Sequence, residues 1–248
     1  IKELSPDDTV PPLAHWLYFN TWARESQLGP DGHPRRGGFM PPITLPRRMF
    51  AGGRIKFVAP LALGESAERV STITLIKPKT GASGELIFVT VKHEIFGKRG
   101  LAIEEEQDIV YRDASKSASP ETPPPAKPSS PPEGSVLKRI QPDPVMLFRY
   151  SALTSNGHRI HYDYEYVTHV EGYPGLIVHG PLQAQLLADL VREFFKAPIA
   201  SFSFQARRPI FNPAPFDCIG RRTGSTVELV TADLGGNVCM KATAELAS

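Results

Sequence analysis

Between Thr154 and Asp163 the chain reads Thr-Ser-Asn-Gly-His-Arg-Ile-His-Tyr-Asp, its densest run of titratable and hydrogen-bonding side chains. His169 and His179 follow, so four of the seven histidines fall between positions 158 and 179. One chemistry open to this run is metal ligation by His158, His161 and Asp163. Their spacing is not the i, i+4 of a helical metal pair, and no cysteine or second carboxylate cluster lies nearby, so no metal is expected. The other is acid–base catalysis, because an imidazole with a pKa near ~6.5 exchanges a proton at neutral pH. For His161, in a polar loop ahead of an apolar helix, residue types leave catalysis and a half-buried structural role equally open. His169, followed by Val-Glu-Gly, reads as a surface-loop residue. A third feature is Val178-His179-Gly180-Pro181. It reads as a helix start, where unpaired N–H groups favour an anion and a glycine lets a ligand approach the backbone. The same glycine would also ease a plain strand-to-helix turn.

The elements that must position these residues show in the apolar pattern. Leu182, Leu186, Leu187, Leu190 and Phe194 recur at helical spacing, with Pro181 suited to the first turn and Pro198 marking the end, which predicts a buried helix over about 180–195. Strand-like runs follow at Ser201–Arg207, Phe216–Arg222, Thr226–Ala232 and Val238–Ala244. The first half repeats the sheet pattern at Arg54–Val58, Ala67–Ile76, Glu85–Ile95 and Leu101–Tyr111, with a weaker helix at Ala14–Gln27 and a loop at 29–49. Seven prolines fall between Pro120 and Ser135. Such a run has few backbone donors and almost no apolar side chains, so it should be an extended spacer. The expected organisation is an N-terminal unit over 1–114, a linker over 115–144 and a C-terminal unit over 145–248, each unit α+β with an antiparallel sheet wrapping a helix.

Composition narrows the function classes. The 248 residues carry 28 Lys+Arg against 26 Asp+Glu, a near balance that gives no argument for a nucleic-acid partner. Hydrophobic residues at 41% suit a folded chain, and no stretch approaches the roughly 18–20 apolar residues of a membrane span. Two cysteines, Cys218 and Cys239, are too few for a disulfide framework. A cytoplasmic protein is expected, or one of the mitochondrial matrix in a eukaryote. A start at Ile1 leaves room for a removed targeting segment.

The stretch Phe148-Arg-Tyr-Ser-Ala-Leu-Thr-Ser-Asn-Gly-His-Arg-Ile-His-Tyr-Asp163, with Glu171-Gly-Tyr-Pro-Gly-Leu-Ile-Val-His-Gly-Pro181, resembles the hydratase 2 motif of the MaoC-like (R)-specific enoyl-CoA hydratases and dehydratases. It is most similar to the double-hot-dog branch that holds 3-methylfumaryl-CoA (mesaconyl-C4-CoA) hydratases, itaconyl-CoA hydratases and 3-hydroxyacyl-thioester dehydratases. Leu45-Pro-Arg-Arg-Met-Phe-Ala-Gly-Gly-Arg54 and Pro60–Glu65 extend the likeness into the first half. The resemblance implies a double hot-dog, two antiparallel sheets each wrapping a central helix, the second the stronger. It implies reversible hydration of an α,β-unsaturated acyl-CoA, most readily a branched C5 dicarboxylic one. The alternatives are a 3-hydroxyacyl-thioester dehydratase of fatty-acid synthesis, a thioesterase, or a non-catalytic acyl-CoA-binding module.

Carried over residue by residue, the resemblance places His161 at the water-handling histidine. Asn156 stands where most of the family has aspartate, although this branch also carries Asn. An amide orients a water but cannot take its proton, so the base duty falls to His161, with His158 assisting or orienting. Asp163 is the nearest carboxylate for fixing the His161 tautomer. Gly180 N–H is the implied oxyanion donor. Arg159, Asp163, His179 and Arg207 are the implied substrate contacts. Arg35, Arg36, Arg47 and Arg48 suit CoA phosphates or a substrate carboxylate, or are plain solvated charge. His33 has no partner at motif spacing, so the first half is expected to be non-catalytic and to shape the pocket. No cofactor is implied beyond the CoA of the substrate, and a monomer or homodimer is expected.

Overall fold

In the computed structural model residues 8–81, 84–113 and 131–247 are described. Most of the Pro-rich run, and residues 115–130 of the expected spacer, lie outside the described residues. Four long antiparallel strands make the first sheet: β1 (Arg47–Phe57), β2 (Glu68–Gly81), β3 (Gly84–Gly97) and β4 (Gly100–Arg112). The second half opens with β5 (Val136–Ile140), helix α1 (Pro144–Leu153) and helix α2 (Gly180–Leu190). It closes with β6 (Ile199–Ala206), β7 (Phe216–Thr223), β8 (Thr226–Asp233) and β9 (Val238–Leu246).

The two sheets meet edge to edge. β1 pairs antiparallel with β6, giving one continuous nine-stranded sheet in the order β2-β3-β4-β1-β6-β9-β8-β7-β5. Gly52 makes the junction possible. A Cβ there would stand 2.5 Å from the Phe204 carbonyl oxygen on β6, closer than any side-chain carbon tolerates. The register of β1 against β4 also shifts between Phe50 and Gly52, so a bulge turns the strand at the joint.

α2 lies against the second sheet and buries Leu182, Gln183, Ala184, Leu187, Ala188 and Leu190. Phe194, expected on the buried stripe, is 44% exposed, and Leu186 is only half-buried. The reason is a change of helical period: a π-helical turn over Val191–Phe195 follows α2 and carries Phe194 off the core face before Lys196 ends it at φ 50°. The weaker helix expected at 14–27 is two single 3₁₀ turns, Ala14–Leu17 and Glu25–Gln27. Its burial is polar as well as apolar. Glu105 on β4 takes His15 Nε2 at 3.0 Å, Trp16 Nε1 at 2.7 Å and Gln107 Nε2 at 2.8 Å. Burial alone would raise the Glu105 carboxyl, but His15, Gln107 and Trp16 outweigh it and hold it below the usual range.

Two boundaries differ from the sequence expectation. β5, placed in the linker, pairs with β7 from Val136↔Gly220 to Ile140↔Phe216 and closes the second sheet. β1 begins at Arg47, so the Arg47-Arg48 pair is strand and not loop. One apolar core runs through both halves, from Leu13, Ile55 and Ile95 to Leu187, Phe202 and Met240, with a smaller cluster of Ile43, Leu45, Val89, Val91, Ile109 and Tyr111 beneath the first sheet. Among the described residues no helix is long and apolar enough to cross a membrane. Gly52→Val should lower the unfolding midpoint by the equivalent of about 1–3 kcal/mol, measured by thermal denaturation, whereas Gly224→Val, at an open turn, should cost only its backbone strain.

Candidate active site

Two helices and one short extended segment assemble the histidines. α1 is started by Asp143, whose carboxylate accepts from Met146 N–H at 2.8 Å, with Pro144 in the first turn. It buries Leu147, Tyr150 and Ser151 on one face and ends at Thr154, where the motif loop begins. The loop doubles back so that Ile177 N–H donates to Ile160 O at 3.0 Å, while Val178 N–H donates to Ile210 O at 2.9 Å. Residues 176–178 are thereby strapped between the motif loop and the 210–212 segment, and they deliver His179 and Gly180 to the start of α2.

This strap sets the chemistry of His161. Its Nδ1 lies 2.7 Å from the Ile177 carbonyl oxygen, which can only accept. Nδ1 therefore carries the proton, and Nε2 is left as a lone pair. His161 is 7% exposed and stacks on His179 with ring centroids 3.6 Å apart and planes at 17°. Burial, then the neighbouring His158, pushes the His161 pKa down to about 3, so the ring is a neutral base at physiological pH.

His179 is 0% exposed and so is the floor beneath His161; its burial leaves no face for the substrate contact implied for it. Its Nε2 pairs with Ser151 Oγ at 2.8 Å, and the Tyr150 ring meets it edge-on at 5.0 Å. Burial, then His161, lowers its pKa as well. His179 Nδ1 and Tyr150 Oη are buried with no protein partner among the described residues. Gly180 N–H heads α2, and no described backbone carbonyl takes it. A Cβ on Gly180 would meet only the Phe50 ring and carbonyl, at 3.9 Å.

Asn156 Oδ1 accepts from His158 N–H at 3.1 Å, which turns its Nδ2 hydrogens outward as donors. Asp163 does not touch His161. It binds Arg159 Nε at 2.9 Å and Tyr166 N–H at 3.0 Å, and the tautomer role expected of it belongs to the Ile177 carbonyl. Arg159 is equally committed: it pairs with Asp163, donates to Pro30 O at 3.0 Å and lies 4.2 Å over the Tyr166 ring. That leaves it a structural clamp in place of a substrate contact. Arg207 is exposed just past the end of β6, where its N–H donates to Cys239 O at 2.8 Å. His169 is a surface residue paired with Glu165, as its setting suggested.

The feature that residue types missed is the contribution of the first half. Gly32 and Gly157 meet backbone to backbone: a Cβ on Gly32 would stand 2.0 Å from Gly157 O, and one on Gly157 would stand 2.4 Å from Gly32 O. With Arg159 N–H donating to Asp31 O at 2.9 Å, the 28–34 loop is docked on the motif loop. His33, expected to have no partner, stands with its ring 4.4 Å from that of His158 and its Nδ1 3.3 Å from Asp31 Oδ2. The signal was present in sequence as Asp-Gly-His-Pro, but a contact between distant loops has no spacing to reveal it. Burial acts to raise Asp31, yet the His33 side chain and N–H, with His158, bring it to about 2. Burial lowers His33 despite Asp31, and burial plus His33 takes His158 to about 3. The ligand atoms of Asp31, His33 and His158 lie within 4.8 Å of one another, a donor set able to hold a divalent ion.

Buried imidazoles with depressed pKa values carry a stability signature. Their folded-state values lie below the unfolded ~6.5, so their contribution is complete above that pH and is lost as pH falls toward about 3. The unfolding midpoint should drop steadily from pH 6.5 to 4, and His158→Gln should flatten that slope. The carboxylate of Asp31 acts only lower, between about 3.8 and about 2.

A protein-family profile described as hydroxyacyl-thioester dehydratase type 2 matches residues 13–212. The chain is 49% identical over 240 residues to a mesaconyl-C(4)-CoA hydratase of Chloroflexus aurantiacus, covering 97% of this chain and 85% of that one. It is 27% identical to a mitochondrial hydroxyacyl-thioester dehydratase type 2 of Schizosaccharomyces pombe, covering 91% and 83%. A crystal structure of a MaoC-like dehydratase from Phytophthora capsici superposes with TM-score 0.64 at 14% identity, over 84% of this chain and 72% of that one, which is agreement of fold. The hot-dog fold expected from the motif is thus shared with the MaoC-like dehydratases, with a central α-helix among the described residues only in the second half, and the chain belongs to the hydroxyacyl-thioester dehydratase type 2 family.

Proposed function

We propose that the protein catalyses the reversible hydration of an α,β-unsaturated acyl-CoA, its substrate a branched C5 dicarboxylic thioester of the mesaconyl-C4-CoA type. The observation that carries this reading is the pairing of a proton acceptor with an oxyanion donor. His161 has Nδ1–H tied to Ile177 O and Nε2 free, and its ring is stacked on the residue that precedes the unpaired Gly180 N–H. The 49% identical relative supports the substrate class.

In this reading Asn156 Nδ2 donates to the oxygen of one water and His161 Nε2 accepts a proton from it. The oxygen bonds to Cβ while the π pair moves onto the thioester oxygen, where Gly180 N–H and the positive end of α2 stabilise the developing charge. The proton on His161 then passes to Cα, so one water supplies both added groups and the imidazole returns to its starting state. Ser151 and His179 hold the base from below, and His158 bounds the loop side. This reading calls for no group beyond the CoA of the substrate and for no residue of a second chain. The related dehydratase activity on a longer 3-hydroxyacyl thioester is the second reading, favoured by the fission-yeast relative.

Loss of the enoyl-thioester absorbance should be fast with mesaconyl-C4-CoA and slower with crotonyl-CoA; the reverse order would favour the second reading. His161→Gln should lower kcat by about 10²–10⁴-fold while the melting curve is kept. Dialysis against a chelator should leave turnover intact, and loss that zinc restores would make Asp31, His33 and His158 a metal centre.

A further inference from the structure

Most cations around the histidines are already engaged. Arg159 is paired with Asp163, and Arg47 with Glu171 at 3.4 Å. Arg36 donates to the carbonyls of Ile43, Leu45 and Pro46 and lies 4.9 Å over the Tyr111 ring. Arg48 differs: it is half-buried, and no described residue accepts a hydrogen bond from it or forms an ion pair with it. A guanidinium has five donors and does not lose its proton, so half-burial without an anion is costly unless a ligand supplies one.

Its position says what that ligand is. Residues 48 and 50 of β1 lie before the bulge and share one face, while Met49, 46% exposed, points the other way. Phe50 on that shared face is the residue that borders Gly180. The positive charge of Arg48 is also felt at His33 and His158, the two rings in contact across the halves. Arg48 is therefore on the face of β1 that reaches Gly180 through Phe50, and within electrostatic range of the two rings. The phosphates of CoA are held away from the thioester by the full pantetheine arm. The nearby anion Asp31 is hydrogen-bonded to His33 Nδ1 at 3.3 Å and forms no ion pair with Arg48.

We propose that Arg48 is the specificity-determining residue, binding the free carboxylate of a dicarboxylic acyl-CoA through its guanidinium. This rests on the hydration reading above. It makes the first half the reader of the acyl end while the second half handles the water.

The test uses two unreactive thioesters of equal chain length, succinyl-CoA and butyryl-CoA, which differ in one terminal carboxylate. Their dissociation constants are measured by calorimetry on the wild type, Arg48→Gln and Arg48→Lys, with mesaconyl-C4-CoA turnover followed separately. The wild type should favour succinyl-CoA, and Arg48→Gln should shrink that preference by about 10–100-fold. Arg48→Lys, keeping the charge without the fork, should retain part of it. A wild type without preference, or a preference that survives in Arg48→Gln, overturns the proposal. A parallel weakening of both ligands at constant ratio also overturns it and assigns Arg48 to the CoA phosphates. Failure of the hydration reading shows up separately, as absent turnover in the wild type.

Discussion

The site is organised around the burial of uncharged imidazoles. A charged ring in this interior would be strongly penalised, so each ring is held neutral, and a neutral ring has one nitrogen that must donate and one that must accept. For His161 the choice is made by a single backbone carbonyl, that of Ile177, and everything that holds residues 176–178 in place acts on the catalyst through it. In the proposed mechanism the hydrogen bonds to Ile160, Ile210 and Asn212 therefore act on the base at one remove. His179 plays the complementary part: flat beneath His161 and anchored to Ser151, it leaves the base one orientation in which its lone pair faces outward.

The two halves share an architecture but divide the labour. The second half keeps a long helix whose first N–H, that of Gly180, has no acceptor among the described residues. In the first half the corresponding apolar filling is a single turn of 3₁₀ helix, anchored by Leu13 and by the buried His15–Glu105–Trp16 network. Freed from presenting a helix end, the first half projects its 28–34 loop and the start of β1 toward the motif loop instead. The asymmetry is chemical as well as geometric, since Asp31 brings the carboxylate that Asn156 does not, although it approaches from the opposite side of His158.

Much of this was legible in the sequence, and the failures share a cause. Helical spacing from Leu182 to Leu190 and alternation along eight strands reflect local periodicity, which survives without knowledge of the partner. His161, Asn156 and Gly180 were singled out through their likeness to the hydratase 2 motif, whose residues lie on a short stretch of chain. β5 was hidden because five residues beside a proline-rich run carry too little pattern, and Phe194 was misplaced because a π turn changes the period without any residue that announces it. The pairing of His33 with His158, and the lack of a partner for Arg48 among the described residues, are statements about which side chains meet across the fold. Spacing along one chain does not contain them.

The seam between β1 and β6 has a consequence for how the molecule comes into being. Gly52 faces Gln205, and Ile55 faces Phe202, so the central ladder of the sheet joins segments from opposite ends of the chain. Closing so long a loop is entropically slow, and contacts of this kind form late. A nascent chain that has completed only its first four strands holds β1 as a bare edge, the arrangement that invites pairing with another molecule. Assembly of the site is thus tied to completion of the whole polypeptide, and the interval before β6 arrives is when the protein is most exposed to aggregation.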